Sequence, residues 1–232
     1  MAIEISKKKA AAWILATVVA PLALYFWISG WYIGIWYART RHQGPPPANI
    51  LFQGIMIGFP AALWGTVGLW WLIRRKKAAF SELFGARTQG LAGDLAVGVA
   101  LGAAWVAMYG LGNVVSFSQM FTFDLAKLSS VPTSLSAGFC EEFLFRGFLF
   151  LIIAQAGGRR TSQILWTSLA FGLGHVFWGP WGMFWTMVLG MTLGAVTSWR
   201  RSVWSAVTAH AILDLCIEPA LIQKAMTGGF NT

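Results

Sequence analysis

The sequence predicts an all-α fold, a polytopic bundle of transmembrane helices, from three observations. Of the 232 residues, 57% are hydrophobic and only 11% are charged, and the mean hydropathy is +0.63, unlike an ordinary soluble domain. Apolar stretches near the roughly 20 residues that a helix needs to cross a bilayer recur along the chain. The basic residues cluster at the ends of these stretches. We therefore expect a single transmembrane domain over residues 1–232 that contacts the lipid bilayer.

Seven segments are predicted to span the membrane, with eight as the alternative count. The first is longer than a signal-peptide core of roughly 7 to 15 residues, so we interpret it as a retained anchor. In chain order the segments are Ala10–Trp36, Ile50–Ile73, Leu91–Val115, Pro132–Ala154, Ile164–Trp178, Met183–Trp199 and Val203–Ile222.

The connections between the spans carry their own signals. Residues 78–90 place Phe80, Leu83 and Phe84 on one helical face, which predicts an interfacial amphipathic helix. The more polar stretch 117–130 predicts an outer loop that could act as a lid. A tight turn is expected at residues 179–182, where Gly and Pro cluster. Three glycine pairs with the spacing of close helix packing are Gly54 and Gly58, Gly98 and Gly102, and Gly190 and Gly194.

The distribution of charge predicts the orientation. With the N terminus in the cytoplasm, twelve basic residues lie inside: Lys7 to Lys9, Arg74, Arg75, Lys76, Lys77, Arg87, Arg159, Arg160, Arg200 and Arg201. Four lie outside, so the positive-inside rule favours this orientation. Although the net charge of +9 could indicate nucleic acid, cations at span ends are typical of contacts with anionic lipid. We expect a multi-pass protein of a prokaryotic plasma (inner) membrane, without a nucleic-acid partner.

An ionisable group inside the fourth span marks the candidate site. Glu141, Glu142 and Arg146 occur within an apolar run, where each charge costs about 2.5 to 3.5 kcal/mol and normally faces a partner or a cavity. Glu142 and Arg146 are i, i+4, so we expect a structural ion pair. Glu141 points away from both, by helical geometry, and is left as a free carboxylate. A desolvated carboxylate is a stronger base, which suits removal of a proton from water.

Two later spans carry three more such residues. His210 and Asp214 are i, i+4 on one face of the last span, so the Asp can orient the imidazole or share a ligand with it; a structural pair is the alternative. His175 closes its own span, and an interhelical hydrogen bond is its alternative role. Counted along the helices, Glu141, His175 and Asp214 lie roughly 18 to 21 Å from the cytoplasmic ends, so one layer of the membrane can hold them. Cys140 and Cys216 are expected to be small packing residues without a redox role.

These residues resemble the CaaX protease and bacteriocin-processing (CPBP) family, also called Abi, whose three motifs are Glu-Glu-x-x-x-Arg, Phe-x-x-x-His and His-x-x-x-Asn/Asp. The resemblance covers residues 141–214. In this chain the motifs read Glu141-Glu142-Phe-Leu-Phe-Arg146, Phe171-Gly-Leu-Gly-His175 and His210-Ala-Ile-Leu-Asp214.

The resemblance implies a hydrolase, an intramembrane endopeptidase that acts on a membrane-associated protein or peptide. It implies that Glu141 activates water with help from His175, and that His210 and Asp214 bind the developing oxyanion. Asp214 stands where the eukaryotic branch has Asn, and an ionised Asp cannot donate to an oxyanion, so orienting His210 suits it better.

Several alternatives stay open on the sequence. Glu141, His175, His210 and Asp214 could bind zinc, but no His-Glu-x-x-His helix is present, so we favour a metal-free glutamate protease without a cofactor. Intramembrane carboxylates and histidines also occur in proton-coupled transporters, although the inverted repeats typical of transporters are not evident. A non-enzymatic immunity protein with the same fold is a further alternative. A serine protease is disfavoured because the Gly-x-Ser-Gly nucleophile motif is missing.

Overall fold

The computed structural model describes residues 5–20, 23, 90–112, 114–121 and 125–226. Within these ranges it describes the backbone but not the side chains of 125–130, 132, 133, 177 and 218–226. The predicted span Ile50–Ile73, with its glycine pair, lies outside the described residues. So do most of the first span and all of the predicted interfacial helix except Gly90.

The described residues form helices and turns without a strand, in agreement with the predicted all-α class. Helix α1 covers residues 7–20 and lies at the N terminus. The later elements follow in chain order: α2 (Leu91–Leu111), α3 (Phe117–Phe121), α4 (Leu125–Glu142), a π-helical turn (Phe143–Leu149), α5 (Phe150–Gln155), α6 (Arg160–Gly174), a 3₁₀ turn (Val176–Trp178), α7 (Gly179–Arg200) and α8 (Trp204–Met226).

By length and composition, one helix in the described part of the chain can cross a membrane. This helix is α2, with 21 residues and a mean hydropathy of 1.7. A shorter apolar stretch, Trp204–Ile217, lies in α8. Large apolar side chains are exposed on the outer surface of α2 and α6, among them Leu95, Val99, Leu165 and Trp166. Exposed apolar surface of this kind is typical of a face that contacts lipid or a partner.

Glycines set the distance between the helices that hold the site. A Cβ added at Gly98 of α2 would lie 2.5 Å from Cβ of Thr208 on α8. A Cβ at Gly138 of α4 would lie 2.8 Å from the backbone nitrogen of Ala211, also on α8. The backbones of α2 and α4 therefore approach α8 so closely that neither position accommodates a side chain, as expected where small residues permit close helix packing.

Two predicted connections are wrong in their placement. The stretch 117–130 was expected to be a loop, but α3 occupies residues 117–121 and α4 begins at residue 125 and continues through Pro132. The turn expected at 179–182 is the first turn of α7, and the chain reverses at residues 175–178 instead. Gly179 has φ of 72°, which glycine adopts readily, and Pro180 follows in the first turn of α7, where a missing N–H costs no helix bond.

Candidate active site

The site is built around the end of α4. Glu141 and Glu142 are the last two residues of α4, and the π-helical turn that follows them contains Arg146. All seven residues of this turn are buried. The sequence predicted a regular helix from Pro132 to Ala154. Single π turns inside α-helices are rare and occur frequently at functional sites.

Glu142 and Arg146 form a fully buried ion pair. Nη1 of Arg146 donates to Oε1 of Glu142 at 2.8 Å, and both side chains have 0% relative exposure. Nη2 of Arg146 donates to the carbonyl oxygen of Gly190 on α7 at 3.0 Å. The guanidinium carbon of Arg146 also lies 4.6 Å from the ring centroid of Phe171 on α6, a cation–π distance. Arg146 thus joins the π turn to two neighbouring helices.

His210 of α8 lies between two carboxylates. Its Nδ1 is 2.9 Å from Oε1 of Glu142, and its Nε2 is 3.4 Å from Oδ2 of Asp214. The contact with Asp214 is the i, i+4 pair expected from the spacing. The contact with Glu142 joins residues 68 positions apart, and sequence reasoning missed it because Arg146 already accounted for the charge of Glu142.

His175 lies at the C-terminal end of α6, where the chain leaves the helix. Its Nδ1 is 2.8 Å from the carbonyl oxygen of Phe171. A carbonyl oxygen can only accept a hydrogen bond, so Nδ1 carries the proton. When the imidazole of His175 is in its neutral form, its lone pair is therefore on Nε2, and the half-buried side chain can accept a proton or a hydrogen bond there.

The ring of Phe171 packs against both histidines. Its centroid lies 4.7 Å from the ring of His175 and 5.6 Å from the ring of His210. The backbone oxygen of the same residue fixes the tautomer of His175. Phe171, the first residue of the second motif, therefore brings the histidines of α6 and α8 together around one aromatic side chain.

Glu141 differs from its neighbour in forming no ion pair within 4.0 Å in the described part of the chain, although it lies near enough to Arg146 and His210 for an electrostatic interaction. Its side chain is 7% exposed, and its buried Oε2 has no hydrogen-bond partner among the described residues. Glu141 forms no hydrogen bond there with His175 or His210. A buried carboxylate oxygen without a partner is costly to keep, which makes it a candidate for a group that acts on a bound molecule.

The fit of the site to zinc depends on whether its ligands converge. Within the described ranges, which include Glu141, His175, His210 and Asp214, no three His, Cys, Asp or Glu side chains are grouped as metal ligands. Both nitrogens of His210 face carboxylate oxygens, so neither presents a free lone pair. The residues that could bind zinc therefore do not fit a zinc site in this arrangement. Cys140 and Cys216 are half-buried and form no disulfide bond.

The comparisons with known proteins agree with the three motifs. Residues 122–216 match the family model described as Type II CAAX prenyl endopeptidase Rce1-like. No curated protein matches the chain, and no solved structure matches it. The matched region contains the end of α4, the π turn, both histidines and Asp214, which confirms the resemblance inferred from the motifs. The family is membrane-embedded and its activity is that of a protease of the CAAX type. Residues 122–216 are therefore similar to this family of CAAX-type endopeptidases, in agreement with the resemblance of the three motifs to the CaaX protease and bacteriocin-processing family.

Proposed function

We propose that this protein is an intramembrane endopeptidase that hydrolyses a peptide bond of a membrane-associated protein or peptide with Glu141 as the general base. The observation that carries the proposal is the contrast between the two adjacent carboxylates. Glu142 is held by a cationic arginine and by His210, whereas the buried Oε2 of Glu141 has no partner among the described residues. Oε2 of Glu142 is also without a partner there, so the ion pair on Oε1 is what distinguishes the two residues. We therefore assign proton removal to Glu141, which forms no ion pair among the described residues.

His175 supports this chemistry through its second nitrogen. Because Nδ1 is bonded to the carbonyl oxygen of Phe171, Nε2 is free to accept a hydrogen bond from the attacking water and to pass a proton on to the leaving amine. Glu141 removes the proton from water as the oxygen attacks the peptide carbonyl, and the proton returns to the amine when the carbon–nitrogen bond breaks.

His210 and Asp214 complete the proposed site. Developing negative charge on the peptide oxygen needs a preorganised donor, and Nε2 of His210 is the available N–H on the side of the site that is less buried. Asp214 is 21% exposed and its oxygen is 3.4 Å from that nitrogen, so a substrate oxygen can replace it. Since the four residues do not group as metal ligands, we propose a metal-free reaction.

The test is cleavage of an internally quenched peptide library by the full chain in detergent micelles, with and without a chelator. Glu141→Gln keeps the shape of the side chain and removes its basicity. General bases contribute about 10² to 10⁴ in rate, so we expect at least a 100-fold loss of cleavage. Chelator is expected to leave wild-type activity unchanged.

Asp94→Asn is the matched control, because Asp94 is also a buried carboxylate paired with an arginine. Nε of Arg200 donates to its Oδ1 at 2.7 Å. Arg200 lies ten residues beyond Gly190 on α7, or about 15 Å along the helix, so the control is remote from the site. Cleavage at wild-type rate by Glu141→Gln would overturn the proposal, and cleavage abolished by the chelator would move the chemistry to a metal.

A further inference from the structure

Glu142 makes more contacts than an ion pair requires. One oxygen, Oε1, faces Nη1 of Arg146 at 2.8 Å and Nδ1 of His210 at 2.9 Å. Its other oxygen, Oε2, is buried without a hydrogen-bond partner among the described residues. A single oxygen therefore links α4, the π turn and α8. An ion pair with Arg146 explains the charge of Glu142, but it does not explain why the same oxygen is directed at the imidazole.

The two nitrogens of His210 differ in how firmly they are held. The Nδ1 contact is short and lies between side chains that are 4% and 0% exposed. The Nε2 contact is 3.4 Å long and involves Asp214, which is 21% exposed. Both partners are carboxylates, so the shorter and less exposed contact is the stronger one, and Glu142 holds the ring more firmly than Asp214 does. Nε2 is the nitrogen left for substrate.

Arg146 fixes the position of Glu142 in turn. The guanidinium donates to the carbonyl oxygen of Gly190 and lies over the ring of Phe171. These two contacts oppose any movement of the guanidinium away from its present position. A Cβ added at Gly190 would lie 3.1 Å from Nη2 of Arg146, which shows how closely the backbone of α7 approaches. The guanidinium is therefore held by α7 and by Phe171, and it holds the carboxylate that faces the imidazole.

We propose that Glu142 is a positioning residue of the proteolytic site. Its Oε1 accepts the Nδ1–H of a His210 ring that is protonated on both nitrogens, each of which faces a carboxylate oxygen, and this bond directs the Nε2–H towards the peptide carbonyl. This inference rests on the proposed function for the role of Nε2. It gives the second glutamate of the first motif a task in the reaction, carried out through His210 and without contact with substrate. Asp214 contacts the other nitrogen, Nε2, and the substrate oxygen displaces Asp214 from it.

The test measures the ring nitrogens of His210 by nuclear magnetic resonance. The chain contains three histidines, so labelling with ¹⁵N-histidine yields three sets of ring-nitrogen signals, which His42→Ala and His175→Ala assign by difference.

The variant is Glu142→Leu combined with Arg146→Met, because removing both partners avoids an unpaired buried charge. We expect the Nδ1 signal of His210 to lose its bonded, protonated character, and kcat to fall about 10- to 100-fold, as for loss of a charged hydrogen bond. KM is expected to change less than about threefold, because Glu142 does not touch substrate.

Two further variants separate positioning from structural support. Asp94→Leu with Arg200→Met removes a partly buried carboxylate–arginine pair between α2 and α7, and it is expected to leave the His210 signals and kcat unchanged. Glu142→Gln retains an acceptor oxygen at Nδ1 and is expected to recover part of the lost kcat. Unchanged His210 signals in the variant that combines Glu142→Leu with Arg146→Met would overturn the proposal. So would a loss of kcat in the Asp94→Leu, Arg200→Met control equal to the loss in that variant. If the wild type shows no proteolysis, the His210 signals still decide the positioning role separately from the proposed function.

Discussion

At the scale of single residues, two adjacent glutamates have different environments because, among the described residues, only Glu142 forms an ion pair. The i, i+4 spacing of Glu142 and Arg146 was enough to predict their contact, since both lie on one helix. The bond between Glu142 and His210 could not be predicted, because it depends on how α4 packs against α8. A signal was present in the sequence, in that His210 is a buried polar group that needs a partner on each nitrogen.

His175→Ala is expected to lose about 100-fold or more of the cleavage rate, with little loss of stability. The imidazole bonds to a carbonyl oxygen of its own helix and lies past the end of α6, so its removal leaves helix packing intact, whereas the acceptor nitrogen at the site is lost. Cleavage kinetics and thermal unfolding in the same micelles check this. A variant that unfolds much earlier than wild type would show instead that the role of His175 is structural.

At the scale of the helices, glycines decide which faces can meet. The pair Gly98 and Gly102 was predicted from spacing alone, and the structure places both against α8. The second pair lies on α7, where Gly190 faces Ser168 and Gly194 faces Ile164, both on α6. Spacing predicts that a helix can be approached closely, but the partner helix follows only from the three-dimensional arrangement.

Gly190→Ala is expected to disturb both packing and the site. Its Cβ would lie 3.1 Å from Cα of Ser168 and 3.1 Å from Nη2 of Arg146, so α7 has to shift or Arg146 has to leave its place. Overpacking of this kind costs about 1 to 3 kcal/mol of unfolding free energy, and we expect the cleavage rate to fall with it. Thermal unfolding and cleavage rates in micelles are the measurements.

Gly194→Ala is the matched control, one turn further along the same face of α7. Its Cβ would be 3.3 Å from Cγ2 of Ile164 and 3.5 Å from Cζ of Phe150, both ends of side chains that can move. A smaller loss of stability and activity is therefore expected than for Gly190→Ala. Equal losses in the two variants would contradict the special role of the contact at Gly190.

The helical class followed from composition and hydropathy, but element boundaries did not. Polar residues in 117–130 predicted a loop, and the helices α3 and α4 occupy most of it, because a polar helix and a loop share the same composition. The π turn at residues 143–149 also has no counterpart in the apolar pattern, since a run of buried residues carries no periodicity from which helix type can be inferred.

At the scale of the whole molecule, basic residues gather where several helix ends meet. The backbone nitrogen of Ile5 donates to the carbonyl oxygen of Gln155 at 3.2 Å, which places Lys7, Lys8 and Lys9 near Arg159 and Arg160. Because α6 and α7 are joined by a short turn, the start of α6 and the end of α7 at Arg200 lie at the same end of the pair. This clustering is what the positive-inside rule expects of a cytoplasmic face.

The sequence predicts a span at Met183–Trp199 in α7, although α2 is the one described helix that qualifies as a span by length and composition. If α7 crosses the membrane, its two ends are reached from opposite sides. The helix has 22 residues, or about 33 Å of length, close to the hydrocarbon thickness of about 30 Å. In a background with Cys140→Ala and Cys216→Ala, Trp181→Cys should react with an impermeant maleimide added outside intact cells. Arg201→Cys should react only after permeabilisation. Labelling of both positions from the same side would contradict a transmembrane α7.

Activation of water by Glu141 for peptide hydrolysis is tested most directly by single-turnover cleavage in ¹⁸O-water. Wild type and Glu141→Gln are compared on the same peptide, and the new carboxyl terminus is analysed by mass spectrometry. If Glu141 is the general base, the wild-type product contains one ¹⁸O atom and Glu141→Gln forms that product at least about 100-fold more slowly. Labelled product formed by Glu141→Gln at the wild-type rate would contradict this role of Glu141.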